Sequence, residues 1–291
     1  MKKFLIYLSI IALLFVACED PVEVDLRDDR KELVVDALIT NAPGPQEIRL
    51  TRTVGYFDPI GSNPGVSNAT VVVFDADTLP YFFAESATEP GVYVYPNGAD
   101  FDRIGEQYAL TIIDGQDTFL SLSQMNPVPN IDTLQWEKQE ETSFSEESYI
   151  VEFLANDLPG VGNTYFFKSY KNDTLLNIGE SVNIAYDAAF SPGADLDGIE
   201  FIVPIRRIGV NDFDNPFQLG DTFRVEVIGI TNEFYLFLNL AEQQINNGGL
   251  FATPPANVPS NILNIKGEGA PRANGFFVIG EQKARSTVIT D

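Results

Sequence analysis

Tyr108-Ala109-Leu110-Thr111-Ile112-Ile113 runs into Asp114-Gly115 and returns along Thr118-Phe119-Leu120-Ser121-Leu122. Two β-prone runs hinged on Asp-Gly make a hairpin, because that pair takes the left-handed turn that matches strand twist. Working back from the hairpin, Gly91-Val92-Tyr93-Val94-Tyr95, the run 79–84 and Thr70-Val71-Val72-Val73-Phe74 read as further strands. Pro80 lacks a backbone donor and sets the start of its strand at an edge. Ile48 and Leu50 alternate with charge in Glu47-Ile48-Arg49-Leu50-Thr51-Arg52, and Leu33-Val34-Val35-Asp36-Ala37-Leu38-Ile39 opens the series. About seven short strands in ~90 residues, with turns between and no helical period, predict an immunoglobulin-like β-sandwich over residues 32–126.

Working forward, Asn126-Pro127-Val128-Pro129-Asn130 predicts a stiff joint, with a Pro-rich linker over 127–132. A second β-rich domain is expected over 133–291, with strands near Leu134, Tyr149–Leu154, Tyr165–Tyr170, 198–205, 221–230, 275–280 and 284–290. It holds one amphipathic helix over about 233–246. Asn232 serves as its N-cap, Phe234, Phe237, Leu238, Ala241 and Ile245 lie on one face, and Asn246-Asn247-Gly248-Gly249 ends it. That face either docks a partner or lies on the second sandwich. The fold class is therefore mainly β, in two units.

The first twenty residues speak of location. Lys2 and Lys3 precede an apolar run from Phe4 to Ala17, and Cys18-Glu19-Asp20 follows at once. A basic start, a short apolar middle and a small residue before the cut describe a signal peptide over 1–17, too short for a good spanning helix. Cys18 is the only cysteine of the 291-residue chain, placed as the acylated residue of a bacterial lipoprotein. Residues 18–31 form an acidic tether, and Glu19 and Asp20 match a signal for display on the outer face of the outer membrane or serve as plain solvated linker. The expected place is the outer membrane, held by an N-terminal lipid.

Composition narrows the chemistry. The chain has 18 basic and 42 acidic residues, a formal charge of −24, and loses two more positive charges with its signal. Such a surface repels nucleic acid. There is no histidine, which removes Ser-His-Asp and Cys-His catalysis and histidine-based metal sites. What remains for an enzyme is carboxylate, lysine or tyrosine chemistry, and the expectation is a protein that is not one. Three candidate sites stand out. Asp195, Asp197 and Glu200 alternate beside Gly198, a pattern able to wrap a hard cation such as calcium. Asn211-Asp212-Phe213-Asp214-Asn215 is a second oxygen-rich loop. Glu140-Glu141 and Glu146-Glu147 could act as paired carboxylates in a hydrolase. Trp136 is the only tryptophan, too few for an aromatic sugar platform.

The order of several phrases adds to this. Cys18-Glu19-Asp20 is followed by L-V-V-D-A-L-I-T-N at 33–41, E-I-R-L-T-R-T at 47–53 and V-G-Y-F-D at 54–58. Asn68-Ala69-Thr70-Val71, Gly91-Val92-Tyr93 and Tyr108-Ala109-Leu110 come next, with G-D-T-F-R-V-E-V at 220–227 and P-S-N-I at 259–262. The series resembles a family of Bacteroidota outer-membrane lipoproteins catalogued as domain of unknown function four-two-four-nine. Ala37 stands where the family has Gly, and 263–266 is an insertion. The resemblance implies no catalytic residues. It implies a genomic setting beside TonB-dependent transporters, and so an accessory or binding lipoprotein of nutrient uptake. A structural or adhesive envelope protein and a carboxylate-based hydrolase are the alternatives.

Overall fold

The computed structural model describes residues 31–55, 58–59, 61–141, 147–176, 182–208, 215–247 and 258–291. The signal peptide, Cys18, Glu19, Asp20 and the tether up to residue 30 lie outside these. So do Glu146 and residues 211–214 of the second oxygen-rich loop.

The first unit contains β1 (Leu33–Thr40), β2 (Gln46–Arg52), β3 (Thr70–Phe74), β4 (Pro80–Glu85), β5 (Val92–Tyr95), β6 (Gln107–Asp114) and β7 (Asp117–Gln124). Period-two patterning carries each of them: Tyr108, Leu110 and Ile112 of β6 point to the core while Ala109, Thr111 and Ile113 point out. Phe101 is buried at the centre, with Tyr81, Tyr95 and Tyr108 at ring distances of 4.7, 5.4 and 5.9 Å. Each fully buried ring of this kind is worth about 1.5–3 kcal/mol. Contrary to the edge expected from Pro80, β4 lies inside the sheet, between β3 and β5. Pro80 is its first residue, the one place where a missing donor does not break the ladder.

The second unit contains β8 (Thr133–Gln139), β9 (Ser148–Leu154), β10 (Thr164–Lys171), β11 (Thr174–Leu175) and β12 (Asn183–Tyr186). Then follow α1 (Val203–Arg206), β13 (Arg207–Ile208), β14 (Thr222–Ile230) and α2 (Asn232–Ile245). The strand expected over 198–205 is instead a loop ending in α1. Pro204 sits in the first helical turn, where its missing donor costs nothing, and Phe201 and Ile205 are buried. The sheet β13-β9-β8 faces a sheet of order β11-β10-β14, which the final strand of the chain (β17, Gln282–Val288) completes beside β14, with β12 also paired to β10. Phe153, Phe167, Phe201 and Phe223 are buried between them.

The chain ends with β15 (Leu263–Asn264), β16 (Ala273–Gly280) and β17 (Gln282–Val288). Here the division expected at 127–132 is crossed. β15 pairs with β7, and β16 runs parallel to β1 from Leu33↔Ala273 to Thr40↔Gly280. The first sheet thus has the order β15-β7-β6-β3-β4-β5-β2-β1-β16. It is nearly barrel-shaped: its far ends meet where the Ile279 N–H donates to Ser123 Oγ at 3.2 Å. After Glu281 the same chain continues as β17 in the second unit.

The expected linker is part of this weld, with Val128 and Ile131 buried in the second core. Glu281 N–H donates to Asn126 O at 3.0 Å, Gly229 N–H to Glu281 O at 3.0 Å and Val128 N–H to Glu281 Oε2 at 2.8 Å. Gly229 and Gly280 let the backbones cross: a Cβ on Gly280 would stand 1.9 Å from Gly229 O. α2 fills the angle between the two sheets. Its Phe234 and Tyr235 are buried with Ile228, Phe276 and Val278, and Phe234 and Phe237 each lie 5.1 Å from Phe276. The helix lies on the second sheet and also reaches β16 of the first. Ile245, expected on its buried face, is exposed. Its N-cap is Thr231 rather than Asn232: Thr231 Oγ1 accepts the Phe234 N–H at 3.2 Å.

Candidate functional site

Two connections at the Thr164 end of β10, 155–163 and 187–202, bring Asp157, Asp187 and Asp197 together, with one carboxylate oxygen of each within 4.8 Å of the others. Asp157 follows β9, and Asp187 follows β12 with a left-handed φ of 52°. Asp157 and Asp187 are buried and Asp197 is exposed. Tyr165 Oη donates to Asp157 Oδ1 at 2.6 Å and the Gly198 N–H to Asp157 Oδ2 at 3.0 Å. Asp187 Oδ1 accepts from the N–H groups of Gly162 and Asn163 at 2.7 and 3.0 Å, and Asp197 Oδ1 from Gly160 N–H at 2.8 Å. Burial pushes the Asp157 carboxyl up, with the charges of Asp187 and Asp197 adding to it, against the pull of Tyr165 and Gly198.

Of the sequence-derived calcium trio, only Asp197 joins this cluster. Glu200 pairs with Arg206, and Asp195 occupies a turn at φ 54°. Asp157 and Asp187, which sequence spacing missed, come from 40 and 10 residues upstream of Asp197. A hard cation wants roughly six to eight oxygens. Both Asp157 oxygens already accept hydrogen bonds, so the arrangement fastens the two connections to each other and to the β10 end.

The carboxylate pairs do not form an acid–base constellation among the described residues. Glu140 and Glu141 are exposed, and Glu147 is held by Lys138 at 3.0 Å across the β8–β9 hairpin. A tighter polar centre lies behind them. Glu152 is buried and accepts from Arg207 Nε at 2.6 Å and Gln135 Nε2 at 3.2 Å, with Arg206 Nε at 3.5 Å. Burial acts to raise its carboxyl, but the bonds from Arg207 and Gln135 and the two arginine charges bring it below the ordinary value. This is a structural ion cluster that pins α1 and β13 to β9. Trp136 donates Nε1–H to Thr290 O at 3.0 Å and meets Phe223 edge-on, a fastening for the C-terminus rather than a platform.

The feature that packing leaves unexplained is a surface. On the outer side of β15, β7, β6, β3 and β4, cross-strand partners form a row: Leu263, Leu120, Thr111, Val72 and Phe82. Leu122 lies beside Leu120 in the next row. Leu263, Phe82 and Leu122 are 69%, 63% and 62% exposed. β7 reverses the usual pattern, with Ser121 and Ser123 buried and Leu120 and Leu122 outside. The sequence does not announce that reversal, since the alternation Leu120-Ser121-Leu122-Ser123 reads as leucines facing the core. Among the described residues no helix is long and apolar enough to cross a membrane.

A search of curated proteins returns no match. Residues 19–286 match the family described as a domain of unknown function (DUF4249). With nearly the whole described body inside that match, the nine-stranded first sheet and its welded partner included, the chain belongs to the DUF4249 family.

Proposed function

We propose that this protein is a lipid-anchored accessory lipoprotein of the outer membrane. On this reading it works by binding rather than catalysis, beside a TonB-dependent transporter in nutrient uptake. What supports the reading is the polarity of the body relative to the point where the chain enters it. Lys31 leads into the start of β1, beside Ala273 and Arg52. β1 and its parallel neighbour β16 both run from that end toward the joint at Gly280, and β17 carries on from there into the second unit. A lipid on Cys18 would therefore hold the body by the free end of the first sheet, with the second unit on the far side. The intervening ~13 residues can reach at most roughly 45 Å. Each buried acyl methylene is worth about 0.8 kcal/mol, so two or three chains anchor stably.

The test is a detergent pull-down of the tagged native protein from its membrane, with mass spectrometry of what accompanies it. A TonB-dependent transporter in stoichiometric amount is expected. Recovery of the acylated protein alone would refute the transport role. A Cys18→Ser variant should leave the membrane fraction, and its retention there would refute the anchor.

A further inference from the structure

We propose that the uncharged outer face of β15-β7-β6-β3-β4 is the docking surface for a second copy of this chain. The inference uses the folded body alone and does not depend on the anchored role.

None of the outward positions of these five strands carries a charge, from Thr70, Val72 and Phe74 on β3 to Thr118, Leu120, Leu122 and Gln124 on β7. This is a chain in which 21% of residues are charged and the formal balance is −24. The other half of the same sheet is ordinary: Glu47 and Arg49 of β2 and Asp36 of β1 point out. Strands lie ~4.8 Å apart, so the row spans roughly 20 Å, with Leu263, Leu120 and Phe82 exposed along it, Thr111 half-buried and Val72 buried. The exposed side chains on it, with Ile113 and Ile265 at its margin, amount to on the order of 600 Å². That is the upper end of what a monomer leaves uncovered.

Charge and area choose the occupant. The strands of the face offer no lysine, arginine or carboxylate at any outward position, and the charges at its margin are the Lys266–Asp117 pair and Glu233 at the start of α2. Its complement must be apolar and uncharged as well, and an identical face is such a surface. Two copies related by a two-fold axis would each give the other the same patch, meeting along the protruding side chains of Leu263, Leu120, Leu122 and Phe82. About 600 Å² from each side sets a ceiling of about 1,200 Å², at the small end of specific interfaces and in keeping with a weak dimer. Repulsion between two acidic chains is cut off beyond ~8 Å at physiological salt, and the charged loops stay outside the contact.

The measurement is sedimentation equilibrium of the soluble Cys18→Ser mature chain over a concentration series, beside Phe82→Asp, Leu122→Asp and, as a control in the second unit, Leu175→Asp. A dimer with a dissociation constant on the order of micromolar is expected. Each face variant should weaken it at least tenfold with unchanged circular dichroism, and Leu175→Asp should leave it intact. A chain that stays monomeric to about 100 μM overturns the proposal. So does a dimer indifferent to both face variants. Flotation with phosphatidylcholine vesicles, abolished by the same two substitutions, would make a bilayer the occupant and equally overturn it.

Discussion

Substituting Gly280 by alanine adds one methyl at the point where three segments cross. The new Cβ would lie 1.9 Å from Gly229 O and 2.9 Å from Gly229 C. An ordinary carbon–oxygen contact is about 3.3–3.6 Å, so one backbone must move by more than an ångström. Neither can do so alone. Gly229 is itself stacked on Asn126, where a Cβ would stand 2.3 Å from the carbonyl oxygen. Glu281 N–H is bonded to Asn126 O and Asn126 Nδ2 donates to Ile230 O at 2.7 Å. Opening the crossing leaves two or more of these buried groups unpaired, at about 1–3 kcal/mol each. The expected loss is about 3–5 kcal/mol, which in a protein of this size lowers the melting temperature by roughly 6–15 °C. Urea unfolding followed by circular dichroism measures it directly. Gly115→Ala is the comparison. That residue has a φ of 60° in open space, so only the left-handed conformation is penalised, at about 1 kcal/mol. If Gly280→Ala costs no more than Gly115→Ala, the two units are not welded at this crossing.

Thr231→Ala should remove the cap of α2 and cost about 1 kcal/mol, while Asn232→Ala stays within a few tenths, both read from urea midpoints. The depressed Glu152 carboxyl binds its proton more weakly in the folded state than in the unfolded one. Its stabilisation is therefore present above the unfolded value near 4.3 and is lost as pH falls through the folded value. Urea midpoints taken from pH 7 down to pH 3 should fall less steeply for Glu152→Gln than for the natural protein. Asp157→Ala strands the buried Tyr165 hydroxyl and releases the Gly198 N–H at the exposed edge of the cluster. A loss of about 2–5 kcal/mol is expected, and a neutral result would show that the cluster does not fasten its loops.

Much of the architecture was legible because it is local. β6, β7, β10 and β14 each announce themselves by alternation, and the hairpin forms where expected, although its two turn residues are Gly115 and Gln116, one position later than Asp114-Gly115, because Asp114 pairs with Asp117 and Gly115 takes the left-handed place. Misreadings occurred where two local signals agree with more than one outcome. Ile199, Phe201, Val203 and Ile205 alternate like a strand, yet Pro204 also suits a first helical turn and burial of Phe201 and Ile205 selects it. Thr231 and Asn232 are both good caps, and the packing of Phe234 and Tyr235 fixes the register. At the candidate site, Asp197 was visible as part of a turn-rich acidic loop. Asp157 and Asp187 were not, since each looks like any loop aspartate until the strands place it.

By itself the sequence determined the class of the protein. Alternating runs can bury one face only as strands, the lack of histidine removes whole families of chemistry, and Cys18 behind an apolar leader sets an expectation of place. Tertiary structure decided what pairs with what. β1 and β16 are separated by more than 230 residues, and nothing in either strand names its neighbour, because backbone hydrogen bonds are the same for every partner. The fit of Gly229, Gly280 and Glu281 around Asn126 carries the chain from β16 of the first sheet into β17 of the second unit. The same holds for the bare face. Alternation in β7 would send Leu120 and Leu122 to the core, and only the closure of the sheet puts Ser121 and Ser123 inside and leaves the two leucines exposed.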